Sequence, residues 1–169
     1  MSLLGRLMTR HGAPPHPAFE DYLRAKQVRF SLHHHEPAYT AQELAHVEHV
    51  PGRMVAKVVI VIADERSVML CLPAPCRLNM LRLMNVLGTD NIRLAHEEEF
   101  AATFPDCEVG AMPPFGNVYG LQVWVDRTLA EGERIVFQAG THTDTVEMDY
   151  LDFARLARPI MADLCSPPS

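Results

Sequence analysis

The stretch Val55-Ala56-Lys57-Val58-Val59-Ile60-Val61-Ile62-Ala63 decides the fold of this chain. β-Branched residues dominate it, Pro51-Gly52 precedes it, and Asp64-Glu65-Arg66-Ser67 follows it. A short apolar run of this composition between turn-forming residues is typical of a buried strand. We therefore predict a central strand over residues 55–63, paired through the turn at 64–67 with a second strand over residues 68–72.

Lys57 is the charged residue inside this apolar run. The chain has two lysines, Lys26 and Lys57, and thirteen arginines. An ammonium removed from water without a partner is costly, so Lys57 is expected beside a carboxylate, an anionic ligand or an opening to solvent. One interpretation leaves its side chain in water at the sheet edge, because successive strand residues face opposite sides. The other is functional: lysine can donate to a phosphate or a polar oxygen, and its scarcity here favours this interpretation.

Outward from the hairpin, the sequence pattern predicts helices and strands in mixed order. The predicted helices cover residues 18–27, 41 to just before Pro51, 76–87, 96–104 and 149–155. The predicted further strands cover residues 29–34, 121–125, 134–138 and 145–148. The second helix opens on a capping box, with Thr40 as N-cap and Glu43 three residues later. Since no long βαβ alternation occurs, we predict an α/β fold with a mixed, curled, barrel-like sheet surrounded by helices.

Length and composition limit the possible classes of protein. The 169 residues are 48% hydrophobic, which suits one domain over residues 18–169 after an irregular arm over residues 1–17. A net charge of −6 argues against a broad basic surface for duplex DNA. No stretch approaches the ~20 apolar residues that cross a bilayer, so no membrane association is expected. The four cysteines show no pairing motif, and we expect a cytoplasmic protein that needs no disulfide.

The second unusual stretch is Gly110-Ala111-Met112-Pro113-Pro114-Phe115-Gly116, called the Gly110 loop below. Glycine lets the backbone approach a ligand closely, and each proline fixes φ while lacking an N–H. The remaining backbone amides would be held in place, where they could polarise a carbonyl or stabilise an oxyanion. A plain turn between strands is the alternative, and the functional interpretation depends on the loop lying close to Lys57.

Other kinds of site are less well supported. His33, His34, His35, His46 and His49 could supply metal ligands, and the last two lie about one helical turn apart. Adjacent strand residues point to opposite faces, however, which favours surface histidines. The cysteines lack a nucleophile signature, and no serine sits in a nucleophile elbow.

Several different short motifs follow one another along the chain in a recognisable order. They are His35-Glu36-Pro37-Ala38-Tyr39-Thr40, Val55-Ala56-Lys57-Val58-Val59, the Gly-x-x-x-Pro segment from Gly110 to Pro114, Val123-Trp124-Val125-Asp126, and Phe137-Gln138-Ala139-Gly140 leading to Val146-Glu147-Met148. With these motifs the chain resembles the YbaK and prolyl-tRNA-synthetase-associated editing-domain family of aminoacyl-tRNA deacylases. The resemblance covers most of the chain.

The resemblance implies hydrolysis of the ester that joins a wrongly attached amino acid to tRNA, without a metal or an organic cofactor. It implies that Lys57 helps to hold the terminal nucleotide and that the amides around Gly110 and Ala111 position the ester carbonyl and a water. The substrate-binding residues that it implies are Tyr39, Val59, Met112, Pro114, Gln138, Asp144 and Thr145. Met112-Pro113 departs from the family's Gly-Gly-x-Ser-Pro loop, which leaves the amino acid open among Ala, Ser, Cys and Thr.

The resemblance also implies partners. The acceptor end of an aminoacyl-tRNA would be the substrate, and a partner aminoacyl-tRNA synthetase could supply tRNA selection. Arginines are the candidates for phosphate contacts, although each can equally be a solvated surface residue: Arg53, Arg77, Arg82 and Arg93. The rival interpretations are a non-catalytic binding module of the same fold, which recognises a nucleotide, an aminoacyl group or a protein, and a histidine-based metal protein.

Overall fold

The structure is a computed structural model that describes residues 17–167. The predicted irregular arm lies outside the described residues except for Pro17, which begins the first helix of the described part of the chain. The helices are α1 (Pro17–Ala25), α2 (Ala41–Glu48), α3 (Met80–Leu87), α4 (Glu97–Ala101), α5 (Arg127–Ala130) and α6 (Tyr150–Ala157), with short 3-10 turns at Gly52–Met54 and Gly116–Tyr119. The strands are β1 (Phe30–His34), β2 (Ala56–Ala63), β3 (Arg66–Pro73), β4 (Ile92–Leu94), β5 (Gln122–Asp126), β6 (Arg134–Gln138), β7 (Asp144–Asp149) and β8 (Ile160–Ala162).

The β2–β3 hairpin is confirmed. The two strands pair antiparallel from Ala56 opposite Pro73 to Ala63 opposite Arg66. Asp64 and Glu65 form the turn with φ of 49° and 69°, and two positive φ values match the twist of a two-residue hairpin. β2 is an interior strand, as predicted, because β4 pairs with its other edge.

The strands form two sheets, so the prediction of one curled, barrel-like sheet is not confirmed. One sheet has the order β1-β7-β6 and is antiparallel, whereas the other has the order β4-β2-β3-β5-β8 and ends in two parallel pairs. In the described part of the chain, the two sheets are joined along the backbone only by an isolated bridge between Val55 and Val136. A single bridge does not make a continuous hydrogen-bonded ladder between the two sheets, and neither sheet closes on itself. The coarser prediction of a mixed α/β fold is confirmed.

Apolar residues fill three regions around these sheets. The largest cluster packs the facing sides of the two sheets together, with Phe115 edge-on to Phe137 and Phe153 at centroid distances of 5.6 and 5.3 Å. A second cluster lies under α3 on the other face of the five-stranded sheet. A third lies beneath α2 and includes the Val55–Val136 bridge. Both faces of β2 are therefore covered, which explains its continuous apolar sequence.

Local signals set the helix starts. The Thr40 hydroxyl accepts from the Glu43 amide at 3.0 Å, and the Glu43 carboxylate accepts from the Thr40 amide, so the predicted capping box is confirmed. The helix predicted from residue 76 begins only at Met80. Asn79 caps it by accepting from the Arg82 amide at 3.1 Å, while Leu78 before it forms an isolated bridge with Cys165.

The sequence analysis expected a protein that needs no disulfide, but the structure contains one. Cys76 and Cys165 form a disulfide with a Cα–Cα distance of 5.4 Å. They are 89 residues apart in sequence, so their pairing could not be predicted from a local cysteine spacing. An antiparallel bridge between Leu78 and Cys165 brings the segments together. Cys71 and Cys107 remain free thiols.

None of the helices in residues 17–167 is both long enough and apolar enough to span a membrane.

Candidate functional site

Lys57 lies near the start of β2, and two backbone carbonyl groups hold its ammonium. Nζ donates to Ala74 O at 3.0 Å and to Cys76 O at 2.7 Å, both in the segment that follows β3. A lysine ammonium has three N–H donors, so one of them remains for a ligand or for water. The sequence predicted a carboxylate, a ligand or an opening to water, but not these carbonyl partners.

No carboxylate neutralises the charge of Lys57. The side chain is half-buried, and within residues 17–167 it forms no ion pair. Burial lowers the pKa of Lys57 from its usual 10.5, because desolvation disfavours the charged form. A partly desolvated cation without a counter-charge attracts an anion, so this position suits a phosphate or another anionic group.

A cavity of about 330 Å³ opens beside Lys57. Its walls come from the start of α2, the beginning of β2, the Gly110 loop and the end of β6. The residues singled out from the sequence that line it are Tyr39, Lys57, Gly110, Met112 and Gln138. The structure therefore brings Lys57 and the Gly110 loop to one cavity, although 53 positions separate Lys57 from Gly110 in the chain. The lining contains neither a carboxylate nor an imidazole.

Of the two amides that the resemblance implied, Gly110 is free of a protein acceptor in the described part of the chain and Ala111 is not, while Met112 offers another free amide at the cavity. The buried Ala111 amide donates to Glu108 O at 3.0 Å, so it is not available to a substrate carbonyl. The prolines have no N–H. Within the described residues, the amides of Gly110 and Met112 donate to no protein acceptor. Gly110 has φ of 87°, a left-handed conformation that glycine adopts without strain.

Tyr39 and Gln138 lie close to His142, a residue that the sequence analysis did not single out. The Tyr39 ring is two-thirds exposed and packs on the His142 ring at a centroid distance of 4.8 Å. The amide nitrogen of Gln138 donates to Ala38 O. His142 Nε2 lies 2.9 Å from Val109 O. His142 thus connects the Tyr39 wall of the cavity with the Gly110 loop, although no motif in the sequence singles it out.

The remaining predicted substrate-binding residues lie outside the cavity lining. Val59 packs against the cluster under α3, and Pro114 is buried. Asp144 is buried and accepts from Thr143 and from His34, while Thr145 Oγ1 is hydrogen-bonded to His35 Nε2 at 2.5 Å. Hydrogen bonds to its charged form lower the pKa of Asp144, although burial opposes them. Asp144 and Thr145 thus bind histidines at the β1–β7 end of the three-stranded sheet.

The histidines and arginines singled out from the sequence do not line the cavity. His33 pairs with Glu48 at 2.7 Å, and in residues 17–167 no three His, Cys, Asp or Glu side chains come together as a metal site. Arg93 pairs with Glu99 at 2.7 Å, and Arg82 donates to Cys165 O at 2.9 Å. Of the four candidate arginines, Arg53 and Arg77 have neither an ion pair nor a side-chain hydrogen bond within the described residues. Both flank the carbonyl groups that hold Lys57, because Gly52 packs on Pro75 and Arg77 follows Cys76.

Comparison with known proteins gives a consistent result. Residues 35–156 match the family model of the aminoacyl-tRNA editing domain. Over 92 residues the chain is 33% identical to a proline--tRNA ligase from Thiobacillus denitrificans, an alignment that covers 54% of this chain and 16% of the ligase. The chain therefore spans about a sixth of the length of that relative.

Two solved structures share the fold. One, provisionally described as a trans-editing enzyme for prolyl tRNA synthetase, superposes with a TM-score of 0.76 at 18% identity, covering 89% of this chain and 98% of that chain. The other, provisionally described as a signal transduction protein from Marinobacter aquaeolei VT8, has a TM-score of 0.71 at 16% identity and covers 89% of this chain and 31% of that chain. At such identities these likenesses concern the fold alone.

Proposed function

The chain belongs to the aminoacyl-tRNA editing domain family, and from this premise we propose that it is a deacylase. The proposed reaction is hydrolysis, in trans, of the ester between a small, wrongly attached amino acid and the terminal ribose of tRNA. Alanine, serine, cysteine and threonine are the candidate amino acids. The reaction uses neither a metal nor an organic cofactor.

The half-buried, unneutralised ammonium of Lys57 carries this proposal. It stands at the wall of a cavity that also contains Gly110 and Met112, whose amides are free of protein acceptors in the described residues. A cation and two amide donors suit a ligand with a phosphate at one end and a carbonyl at the other. The terminal nucleotide of an aminoacyl-tRNA has both groups.

The chemistry follows from what the lining contains. A water adds to the ester carbonyl carbon, the bond from that carbon to the ribose oxygen breaks, and the ribose oxygen takes a proton. The amides of Gly110 and Met112 stabilise the negative charge that develops on the carbonyl oxygen. Since the lining offers no carboxylate or imidazole as a base, a ribose hydroxyl of the substrate orients the water. The protein then contributes mainly geometry.

The partners follow from the charge distribution. A domain that grips only the acceptor end needs few phosphate contacts, so a net charge of −6 is compatible with tRNA binding. Arg53 and Arg77 are the proposed phosphate contacts, because they flank the segment that holds Lys57. Selection of the tRNA is left to a synthetase that acts on it first, in the cytoplasm. The alignment with a proline--tRNA ligase makes that synthetase the first to test.

A deacylation panel tests the proposal. tRNAs charged separately with Ala, Ser, Cys, Thr and Pro are incubated with the wild type, with Lys57→Ala and with Lys26→Ala. Lys26 is the other lysine of the chain and is exposed beside the Tyr22 ring, so it controls for the loss of a positive charge. We expect the wild type and Lys26→Ala to release at least one amino acid and Lys57→Ala to release it far more slowly. If the wild type hydrolyses none of the five esters, the proposal is contradicted.

A non-catalytic binding module is the second candidate, and the lack of a carboxylate or an imidazole in the lining favours it. Such a module would bind a non-hydrolysable aminoacyl-adenosine analogue through Lys57 and would leave the charged tRNAs intact. Calorimetric titration of the analogue into the wild type and into Lys57→Ala, together with the panel, separates the two candidates.

A further inference from the structure

Glu108 joins the Gly110 loop to the turn at residues 139–143. Its carboxylate Oε1 accepts from the His142 amide at 2.8 Å, and its own amide donates to Gly140 O at 2.8 Å. Gly140 in turn donates to Ala111 O at 2.8 Å. Of these three hydrogen bonds, only the one from the His142 amide is accepted by a side chain. A substitution at Glu108 can therefore remove it without changing the backbone.

The residue that Glu108 holds, His142, lies between two walls of the cavity. Its ring packs on Tyr39, its Nε2 lies 2.9 Å from Val109 O, and its carbonyl accepts from the Ala38 amide at 2.9 Å. A displacement of His142 would therefore be transmitted both to Tyr39 and to the peptide that precedes Gly110. Glu108 itself does not line the cavity.

We propose that Glu108 is a positioning residue, which fixes the Gly110 and Met112 amides where the substrate carbonyl needs them by tying the loop to the His142 backbone. This inference rests on the proposed deacylase function. Glu108 acts as a hydrogen-bond acceptor and not through its charge, because a carboxylate so near the Gly110 loop opposes the negative charge that develops on the carbonyl oxygen. Any acceptor of the same length at this position should therefore serve.

Three substitutions separate geometry from charge. Glu108→Gln keeps the length and an acceptor oxygen but removes the charge. Glu108→Asp keeps the charge but withdraws the acceptor by one methylene, and Glu108→Ala removes both. Glu147→Ala is the matched control, because it removes a carboxylate that bonds to Arg134 within the three-stranded sheet and does not line the cavity.

The first measurement is kcat and KM for the best tRNA of the deacylation panel, with thermal unfolding recorded in parallel. We expect Glu108→Ala and Glu108→Asp to lose about tenfold to a hundredfold in kcat with little change in KM, since displaced amides affect the transition state more than binding. Glu108→Gln should stay within about threefold of the wild type, and Glu147→Ala should match the wild type. If Gln falls as far as Ala, if Asp equals the wild type, or if only KM changes, the proposal is overturned.

The second measurement does not need activity. Amide proton and nitrogen chemical shifts of Gly110 and Met112 are compared in the wild type, Glu108→Gln and Glu108→Asp. We expect the Asp variant to shift both signals and the Gln variant to keep them near the wild-type positions. Unchanged signals in the Asp variant overturn the proposal. A wild type that deacylates no tRNA, with shifts that follow this pattern, refutes the proposed function and leaves the positioning role of Glu108 standing.

Discussion

Opening the Cys76–Cys165 disulfide should cost the protein several kcal/mol of stability. The bond closes a loop between two cysteines that are 89 positions apart. In a chain-entropy treatment, closing a loop of that length removes about 15 cal/mol/K from the unfolded chain, which is about 4.6 kcal/mol near room temperature. This is a large fraction of the ~5–15 kcal/mol by which a domain is stable, so reduction should move the unfolding transition visibly.

The assay is urea unfolding followed by circular dichroism, with and without a phosphine reductant. Wild type should lose about 4–5 kcal/mol of unfolding free energy in reductant and should show a larger dependence on urea, since the reduced unfolded chain exposes more surface. Cys165→Ser should resemble the reduced wild type under both conditions. Cys107→Ser removes a free thiol and should keep the full response to reductant. An identical midpoint with and without reductant, or four titratable thiols in the unreduced denatured protein, would refute the reasoning.

Two further predictions concern the site and the core beneath it. Because burial lowers the pKa of Lys57 below 10.5, the unfolded chain binds more protons than the folded chain between the two pKa values. The Lys57 contribution to stability therefore rises as pH increases through that window, while KM for the tRNA rises because the ammonium is lost. In steady-state kinetics over the same pH range, Lys57→Ala should show no such rise of KM with pH. A rise of equal size in that variant would contradict the attribution of the effect to Lys57. Gly116→Ala would place a Cβ 2.9 Å from Val123 Cγ2 in the buried sheet, and overpacking of this kind costs about 1–3 kcal/mol. Thermal unfolding should show this loss, whereas Gly132→Ala, whose Cβ would meet nothing nearer than 3.5 Å, should change stability little; equal melting temperatures for the two variants would argue against the packing around Gly116.

The parts of the fold that local sequence encodes could be predicted. The β2–β3 hairpin follows from a β-branched run and a two-residue turn, and α2 follows from the Thr40–Glu43 capping box. Both depend on residues that are neighbours in the chain. Strands β4 and β8 were missed because each has only three residues and is a strand only through its pairing with β2 or β5.

The site shows the same division. The unusual placement of Lys57 and the composition of the Gly110 loop were visible in the sequence, and the structure brings them to one cavity. Which amides of the loop remain free was not visible, because the Ala111 amide is taken by a carbonyl three residues earlier in a turn that the sequence leaves open. The importance of His142 was not visible either, since it arises from contacts with residues more than thirty positions away. Asp144 and Thr145 were expected in the pocket but do not line this cavity, because their partners His34 and His35 could not be identified from sequence alone.

The division of the strands into two sheets has a consequence for the width of the cavity. Lys57 belongs to one sheet and Gln138 to the other, and in the described chain the Val55–Val136 bridge is the backbone pairing between them. A small change in tilt at this bridge would spread or narrow the opening while every wall residue stays the same. In the proposed deacylase, substitutions at this bridge should therefore alter amino-acid preference, and directed-evolution libraries aimed at altered selectivity should include Val55 and Val136 beside the wall positions.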